Sequence, residues 1–252
     1  MRKILFATLC LASSVACAST NPFDTTLPLD KQLTVAIAKD DAGQVAYLLR
    51  EMRVDPNFYL PNGETPLVWA IKNDAKVTTE KVLLKSVRIK INTPTLRGET
   101  PLMLAAIKGN VDLAQTLLDK GAEINANYGW TALHYSASTG QTEMTRFLIE
   151  KGANVNARTE RGVTPLYMAA RIIAAPTVDV LLQAGADKTM CNDQGVSPSA
   201  IAKKRGDEKL SEKLAIDACS PWPPVEGAEK TNVESISVTP KPRGLLCKRH
   251  YL

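Results

Sequence analysis

Histidine and cysteine, two residue types that often carry nucleophilic or metal chemistry, are both scarce in this chain. The histidines are His134 and His250, and the cysteines are Cys10, Cys17, Cys191, Cys219 and Cys247. Zinc sites draw their ligands from closely spaced Cys and His pairs, but no C-x-x-C or H-E-x-x-H motif occurs. The chain also lacks G-x-S-x-G, G-x-G-x-x-G and P-loop motifs. We therefore expect no catalytic, metal or cofactor site, and a protein that is not an enzyme.

The N-terminal segment has the pattern of a secretory signal peptide. A short basic start, Arg2-Lys3, precedes an apolar run over residues 4–15, and Ala16-Cys17-Ala18 supplies the small residues of a cleavage site. The apolar run is shorter than the roughly 20 residues that span a bilayer. We therefore expect residues 1–18 to be removed, and the mature protein to lie in the periplasm of a Gram-negative bacterium or outside the cell.

A lipid anchor at Cys17 is the alternative that this segment leaves open. Residues 14–17 are similar to a bacterial lipobox, although Ser14 stands where Leu is preferred. The net charge of +5 falls to +3 when Arg2-Lys3 leave with the signal peptide. So small a charge does not favour a nucleic acid or a membrane surface as the partner.

Export changes what the remaining cysteines can do. An oxidising compartment allows one disulfide among Cys191, Cys219 and Cys247 and leaves one odd thiol. The pairs Cys191–Cys219 and Cys219–Cys247 are both compatible with the sequence, which does not choose between them.

A unit of about 33 residues recurs through the chain, and a stacked array is the usual meaning of such a period. The repeated Thr or Ser falls at Thr65, Thr100, Thr131, Thr164 and Ser197, with spacings of 35, 31, 33 and 33 residues. A Gly suited to a tight turn always lies two residues earlier, and the hydroxyl is suited to cap a helix. Pro follows in four copies, at the first helical position, where its missing N–H costs nothing.

Each unit predicts two short helices. An apolar stretch such as residues 102–106 forms the first, and apolar residues at helical spacing over 111–118 form the second. Gly109 breaks the first helix and Gly121 ends the second. Asn125 then suits the turn that leads into the next unit.

The copies begin with TPLVWA, TPLMLA, TALHYS, TPLYMA and SPSAIA, and GAEINA and GANVNA follow two of the second helices. At this period the chain resembles the ankyrin-repeat family over about residues 30–218. The resemblance implies an all-α solenoid of helix–turn–helix units with β-hairpin-like finger loops, about five to six repeats including degenerate ends. It also implies a protein-binding role. The pattern is broken at Asp74 and Ile173, which replace the Gly between the helices.

The repeats also fix the expected domain organisation. A signal peptide covers residues 1–18, a linker 19–29, the repeat domain 30–218 and a Pro-containing tail without periodicity 219–252. The loop before Thr100 is two residues longer than the period, and the loop before Thr131 is two shorter. We therefore expect one finger to protrude and its neighbour to be short.

The candidate site is a contact surface. The resemblance implies that fingertips and first helices face the partner, and it places Trp130 at a variable, partner-facing position. Trp, Tyr and Arg are enriched in binding hot spots, which favours a patch around Trp130. The predicted partner-binding residues are Arg97, Glu99, Lys108, Tyr128, Trp130, Glu160, Arg161 and Arg171.

The resemblance gives His134 a structural role, as a hydrogen-bonding tie between the loops of adjacent repeats. The aromatic residues Trp69, Tyr135 and Tyr167 on the first helices either pack between repeats or face a partner. The favoured function is an exported scaffold or binding protein that holds another protein on its concave surface. An immunity or inhibitor protein that masks a toxin or enzyme, and a secreted effector that acts on host proteins, are the alternatives.

Overall fold

The structure is a computed structural model that describes residues 27–126 and 129–220. The expected signal peptide, Cys17, Tyr128, Cys247 and most of the expected tail lie outside these residues. The described helices are α1 (Leu29–Ala38), α2 (Ala42–Arg50), α3 (Pro66–Lys72), α4 (Lys76–Thr78, continuing as a π-helix over Thr79–Leu83), α5 (Pro101–Lys108), α6 (Val111–Asp119), α7 (Ala132–Ser138), α8 (Thr142–Glu150), α9 (Pro165–Arg171), α10 (Ala175–Gln183), α11 (Pro198–Lys204) and α12 (Glu208–Lys213).

These helices form six hairpins that stack side by side, which we number repeats 1 to 6 from α1–α2 to α11–α12. The first helix of each repeat packs against its own second helix and against the first helix of the next repeat. The described residues contain no strand, and their β pairing is limited to an isolated parallel bridge between Met190 and Ser220. The all-α solenoid expected from the sequence is confirmed.

A side-chain cap begins the first helix of repeats 2 to 6. The hydroxyl oxygen of the residue before each helix accepts a hydrogen bond from the backbone N–H three residues later, and the capping residues are Thr65, Thr100, Thr131, Thr164 and Ser197. Such a cap stabilises a helix by about 1 kcal/mol. These helices have only seven or eight residues, too few to be stable alone, so they also depend on packing.

Stacking supplies that packing. The Leu at the second helical position is fully or almost fully buried in every repeat from 2 to 5, at Leu67, Leu102, Leu133 and Leu166. Small residues on the same helices, such as Ala105 and Ala169, are also fully buried and let neighbouring helices approach closely. One hairpin alone would leave these side chains in water, so each repeat depends on its neighbours.

A ladder of Asn side chains joins successive repeats on the loop side. Asn92 accepts a hydrogen bond from the N–H of Glu123 at 2.9 Å and donates to the carbonyl of Gly121 at 3.0 Å. Three further Asn residues make the same pair of contacts with the repeat that follows each of them: Asn57, Asn125 and Asn156. The turn role expected for Asn125 is therefore extended by a bond to the neighbouring repeat.

The finger before Thr100 does not protrude, so that expectation was wrong. Asn92 precedes Thr100 by eight residues, the same interval as from Asn57 to Thr65. The hairpin bond from the Thr95 N–H to the Glu99 carbonyl is also 2.8 Å, as it is in the preceding finger. The finger therefore has ordinary length.

The two extra residues of repeat 2 lie instead in its second helix and in the turn after that helix. Asn92 follows Thr65 by 27 residues, whereas Asn125 follows Thr100 by 25. The π-helix over Thr79–Leu83 and the turn after it take up the difference, because a π-helical turn holds more residues than an α-helical one. Repeat 2 is thus altered in its second helix and not at its fingertip.

A disulfide fixes the end of repeat 6 to the last finger. Of the two pairings open from the sequence, the structure contains Cys191–Cys219, with Cα atoms 5.9 Å apart. The Cys191 N–H donates to the Ser220 carbonyl at 3.2 Å, and the Ser220 N–H donates to the Thr189 carbonyl at 2.9 Å. Residues 219–220 are therefore attached to the repeat array.

Candidate functional site

Trp130 lies between the finger of repeat 4 and the capping residue of α7. Its ring centroid is 5.6 Å from that of Tyr135 and 5.7 Å from that of His134, and it is half-buried. Like Tyr135, Tyr167 and Trp69, it packs against the core with part of its surface exposed. These aromatic side chains thus pack against the core and also leave part of their surface open to a partner.

A groove of about 410 Å³ opens beside Trp130 between repeats 4, 5 and 6. Tyr167 and Arg171, four residues apart on α9, form one side of it, and the fingers contribute Glu160, Arg161 and Gln194. Four of the predicted partner-binding residues therefore line one groove: Trp130, Glu160, Arg161 and Arg171. We call this set, with Tyr167, the Trp130 groove.

Arg171 is the charged residue of this groove with an unmet hydrogen-bonding atom. Its Nε is buried and has no hydrogen-bond partner within the residues that the structure describes. A buried N–H without an acceptor costs about 1–3 kcal/mol. Because this Nε atom is not accessible from outside, a partner in the groove would contact the exposed part of the Arg171 side chain.

The fingertips that border the groove are joined to each other. The Arg161 Nε lies 3.1 Å from a carboxylate oxygen of Asp193, and the Asp193 N–H donates to the Arg161 carbonyl at 2.9 Å. Both side chains are well exposed, so the ion pair itself stabilises little. The two bonds together hold the fingers of repeats 5 and 6 in register beside Trp130.

Glu99 and Lys108 belong instead to ion pairs that cross repeats 2 and 3. Lys72 contacts Glu64 and lies 3.4 Å from Glu99, while Lys108 contacts Asp74 and donates to the Lys72 carbonyl at 3.2 Å. Burial alone would lower the pKa of Lys72, but Glu64 and Glu99 outweigh it and raise that pKa. Sequence reasoning named these residues one by one and missed that they meet across the repeats.

Arg97 is exposed on the finger before α5 and does not line the Trp130 groove. Met168 and Asn192 line the groove, and sequence reasoning did not select them. Asn192 accepts hydrogen bonds from the N–H groups of Gln194 and Val196. Its place in the finger is thus fixed by local turn chemistry that a spacing pattern does not reveal.

His134 ties two repeats together, the role that the family resemblance implied. Its Nδ1 accepts from the Thr131 N–H at 3.1 Å, so Nε2 carries the proton and donates to the Val163 carbonyl at 3.0 Å. Burial lowers the pKa of His134 to about 4, although hydrogen bonds to Val163 and Ala157 oppose the shift. The imidazole is neutral at pH 7 and held at both nitrogens.

Residues 27–126 and 129–220 offer neither a metal site nor a membrane span. No three His, Cys, Asp or Glu side chains there are grouped so that they could hold a metal ion. Within the same residues, no helix combines the length and the apolar character needed to cross a bilayer.

Comparison with known proteins agrees with this architecture. Residues 33–128 and 125–192 match the family model described as Ankyrin repeats (3 copies). The human Ankyrin repeat and SOCS box protein 16 is 33% identical over 119 residues, which are 46% of this chain and 26% of the human protein. The chain thus spans about a quarter of the length of that relative. Since the family model covers more than half of the chain, with its repeats matching the stacked hairpins, the protein belongs to the ankyrin-repeat family.

Proposed function

We propose that this protein is an exported binding protein that holds another protein on the Trp130 groove and the first helices beside it. Ankyrin repeats are protein–protein interaction modules. The observation that carries the proposal is the groove in which Arg161 and Arg171 lie beside the part-exposed rings of Trp130 and Tyr167.

The chemistry of the groove defines what the partner presents. Trp130 and Tyr167 offer flat apolar surface, and Arg171 and Arg161 offer N–H donors around it. A partner segment with an aromatic or aliphatic side chain next to a carboxylate or a backbone carbonyl matches this arrangement. Because aromatic and Arg side chains carry most of the binding energy in protein interfaces, a few of these contacts suffice for a specific complex.

The proposed location outside the cytoplasm is supported by the disulfide. Cys191–Cys219 joins the finger of repeat 6 to the residues after α12. Disulfides persist in the periplasm and in secreted proteins and are rare in reducing compartments. The signal-peptide pattern of residues 1–18 points the same way.

Site-specific photo-cross-linking in cells that naturally produce the protein tests the proposal. A photoreactive phenylalanine analogue at position 167 should capture a protein partner, whereas the same analogue at Arg146, exposed on α8, should not. Equal capture from both positions, or none from position 167, would overturn the proposed site. Fractionation of the same cells should place the cross-linked species in the periplasm or the medium, and recovery in the cytoplasm would overturn the location.

Variants of the groove test the residues with the captured partner. Arg171→Met removes the donors but keeps an apolar stem, and Trp130→Ala removes the aromatic surface. Each should weaken binding by about tenfold or more, a cost of about 1.4 kcal/mol. Arg146→Ala is the matched control and should bind as the wild type does. If the captured partner is an enzyme and its activity falls on binding, the protein is an inhibitor instead of a scaffold.

A further inference from the structure

A second groove is formed by the second helices of repeats 1 and 2 and the turns that follow them, away from the Trp130 groove. It has a volume of about 510 Å³, and α2 and the end of the π-helix supply its apolar floor, with Leu49 and Val82. Its rim is basic and consists of Arg50, Arg53, Lys85 and Arg88. None of the described residues that line it carries a carboxylate. We call it the basic groove.

The basic groove exists because of the two extra residues in repeat 2. The π-helix over Thr79–Leu83 and the turn after it bring Lys85, Val87 and Arg88 to the rim. Val87 is fully exposed. Val87 therefore lies in water beside the four cations of the rim. Its apolar surface would contribute to binding if a partner covered it.

This local structure is costly. The Oγ1 atoms of Thr78 and Thr79 are buried without a hydrogen-bond partner among the described residues, and π-helical turns are rare and often found at functional sites. Arg53 adds a further cost, because its φ of 52° is the left-handed conformation that glycine supplies at Gly121 and Gly152. Folding alone would favour a glycine at position 53, yet the residue there carries a positive charge into the groove.

Arg88 shows that the two sides of the groove are held at a fixed distance. Its guanidinium contacts the Leu49 carbonyl and lies 3.3 Å from the Val54 carbonyl, at the C-terminal end of α2. A cation is favourable at that end of a helix. Arg88 therefore has a structural task, while Arg50, Arg53 and Lys85 are exposed around it.

We propose that the basic groove binds an acidic, partly apolar segment of a partner protein. Carboxylates of that segment face Arg50, Arg53 and Lys85, and an apolar side chain covers Val87. Charge complementarity selects an acidic ligand, and the exposed valine and the apolar floor select a peptide over a purely charged polymer. The proposal is independent of the Trp130 groove, which lies in repeats 4 to 6.

Heteronuclear NMR on the isotope-labelled protein tests this proposal with defined probes. A short peptide that alternates glutamate and leucine should shift the amide signals of Arg53 and Val87, and the shifts should shrink with added salt. A peptide of glutamine and leucine should not shift them. An equal response to polyglutamate or to single-stranded DNA would overturn the proposal, because it would show a binding site for any polyanion.

Variants locate the site. Arg50→Ser with Lys85→Ser should weaken binding of the glutamate–leucine peptide by about tenfold. Lys120→Ser with Lys204→Ser removes the same total charge from exposed positions elsewhere and should leave binding unchanged. Equal weakening by both pairs would overturn the proposal.

Arg53→Gly distinguishes a loss of binding from a loss of folding. Glycine adopts the left-handed conformation of position 53 without cost, so this variant should be at least as stable as the wild type and still bind the peptide less tightly. Unchanged binding by Arg53→Gly would count against the proposed role of this residue. Trp130→Ala should bind the peptide normally, so a failure of one site is distinguishable from a failure of the other.

Discussion

The Nε2–H of His134 donates to the carbonyl oxygen of Val163 at 3.0 Å, which binds repeat 4 to repeat 5 through a buried imidazole. The opposite ring nitrogen accepts from the Thr131 N–H. Protonation would add a second donor at Nδ1, opposite another donor, and would put a charge in the core. The bond that Nδ1 accepts from the Thr131 N–H therefore requires the neutral ring, whereas the bond that Nε2–H donates to Val163 does not.

The free energy of unfolding should depend on pH through His134. The folded pKa is about 4 and the ordinary value is 6.5, so between these values the unfolded chain binds a proton that the folded chain does not. Stability should therefore fall as the pH drops from about 6.5 to about 4, by about 3 kcal/mol in total. Urea denaturation of the wild type and of His134→Gln across this range measures it. If both proteins lose stability at the same rate, the prediction is wrong.

Replacing Ile173 by glycine should stabilise the protein. Ile173 lies between α9 and α10 with a φ of 61°, a conformation that is strained for a β-branched residue, and its side chain is 40% exposed. Ile173→Gly removes strain of about 1 kcal/mol, and the side chain that it removes does not belong to the buried core. Thermal melting should show a raised Tm, and a lowered Tm would mean that the Ile173 side chain packs more than its exposure indicates.

Asp40 is the matched control, because it shares the left-handed backbone but has a second task. Its carboxylate accepts from the N–H groups of Val77 and Thr78 at the start of α4. Burial alone would raise the pKa of Asp40, but the hydrogen bonds from Thr78 and Val77 together outweigh it and lower that pKa. Asp40→Gly should therefore lower the Tm despite the same φ. Stabilisation by both glycine variants would show that the capping bonds contribute nothing.

Removing one rung of the Asn ladder should uncouple two repeats. Asn125 bridges to the Asn154 N–H at 2.8 Å and the Gly152 carbonyl at 3.1 Å. Asn125→Ala loses both bonds and should cost about 1–2 kcal/mol in urea denaturation. Asn125→Asp keeps the acceptor and should cost less. Equal losses in the two variants would show that only the donated bond matters.

Reduction of the disulfide should loosen repeat 6 first. Cys191 and Cys219 are 28 residues apart, and a cross-link of that span stabilises a fold by about 3 kcal/mol. Hydrogen exchange should show faster exchange at the Cys191 and Ser220 amides after reduction, with repeats 3 and 4 unaffected. A variant with both cysteines changed to serine should show no response to reductant. Uniform loosening of the whole array would contradict this prediction.

The regular part of the fold was predictable because each signal is local. Thr100 followed by Pro101 predicts a capped helix from adjacent residues, and the cap is present in the structure. Gly109 at a φ of 66° ends α5 where the pattern placed a break. Such features depend on a few neighbouring residues that the sequence displays directly.

The irregular part was not predictable, because it depends on contacts between repeats. Spacing showed two extra residues before Thr100 but not that the π-helix at Thr79–Leu83 takes up part of them. It likewise named Lys108 without its partner Asp74, which lies in the preceding repeat. Trp130 and Arg171, which the sequence placed on one surface, both line the Trp130 groove, because the finger of one repeat lies beside the first helix of the next repeat.

The disulfide in repeat 6 makes the two ends of the solenoid differ in their resistance to force. Repeat 1 is held to repeat 2 by packing and by hydrogen bonds, those of Asn57, Arg88 and Asp40 among them, whereas repeat 6 is closed by the covalent Cys191–Cys219 bond. Tension applied between the two termini should therefore peel the array from α1 inward, one hairpin at a time. A partner held in repeats 4 to 6 would stay attached while the first repeats yield.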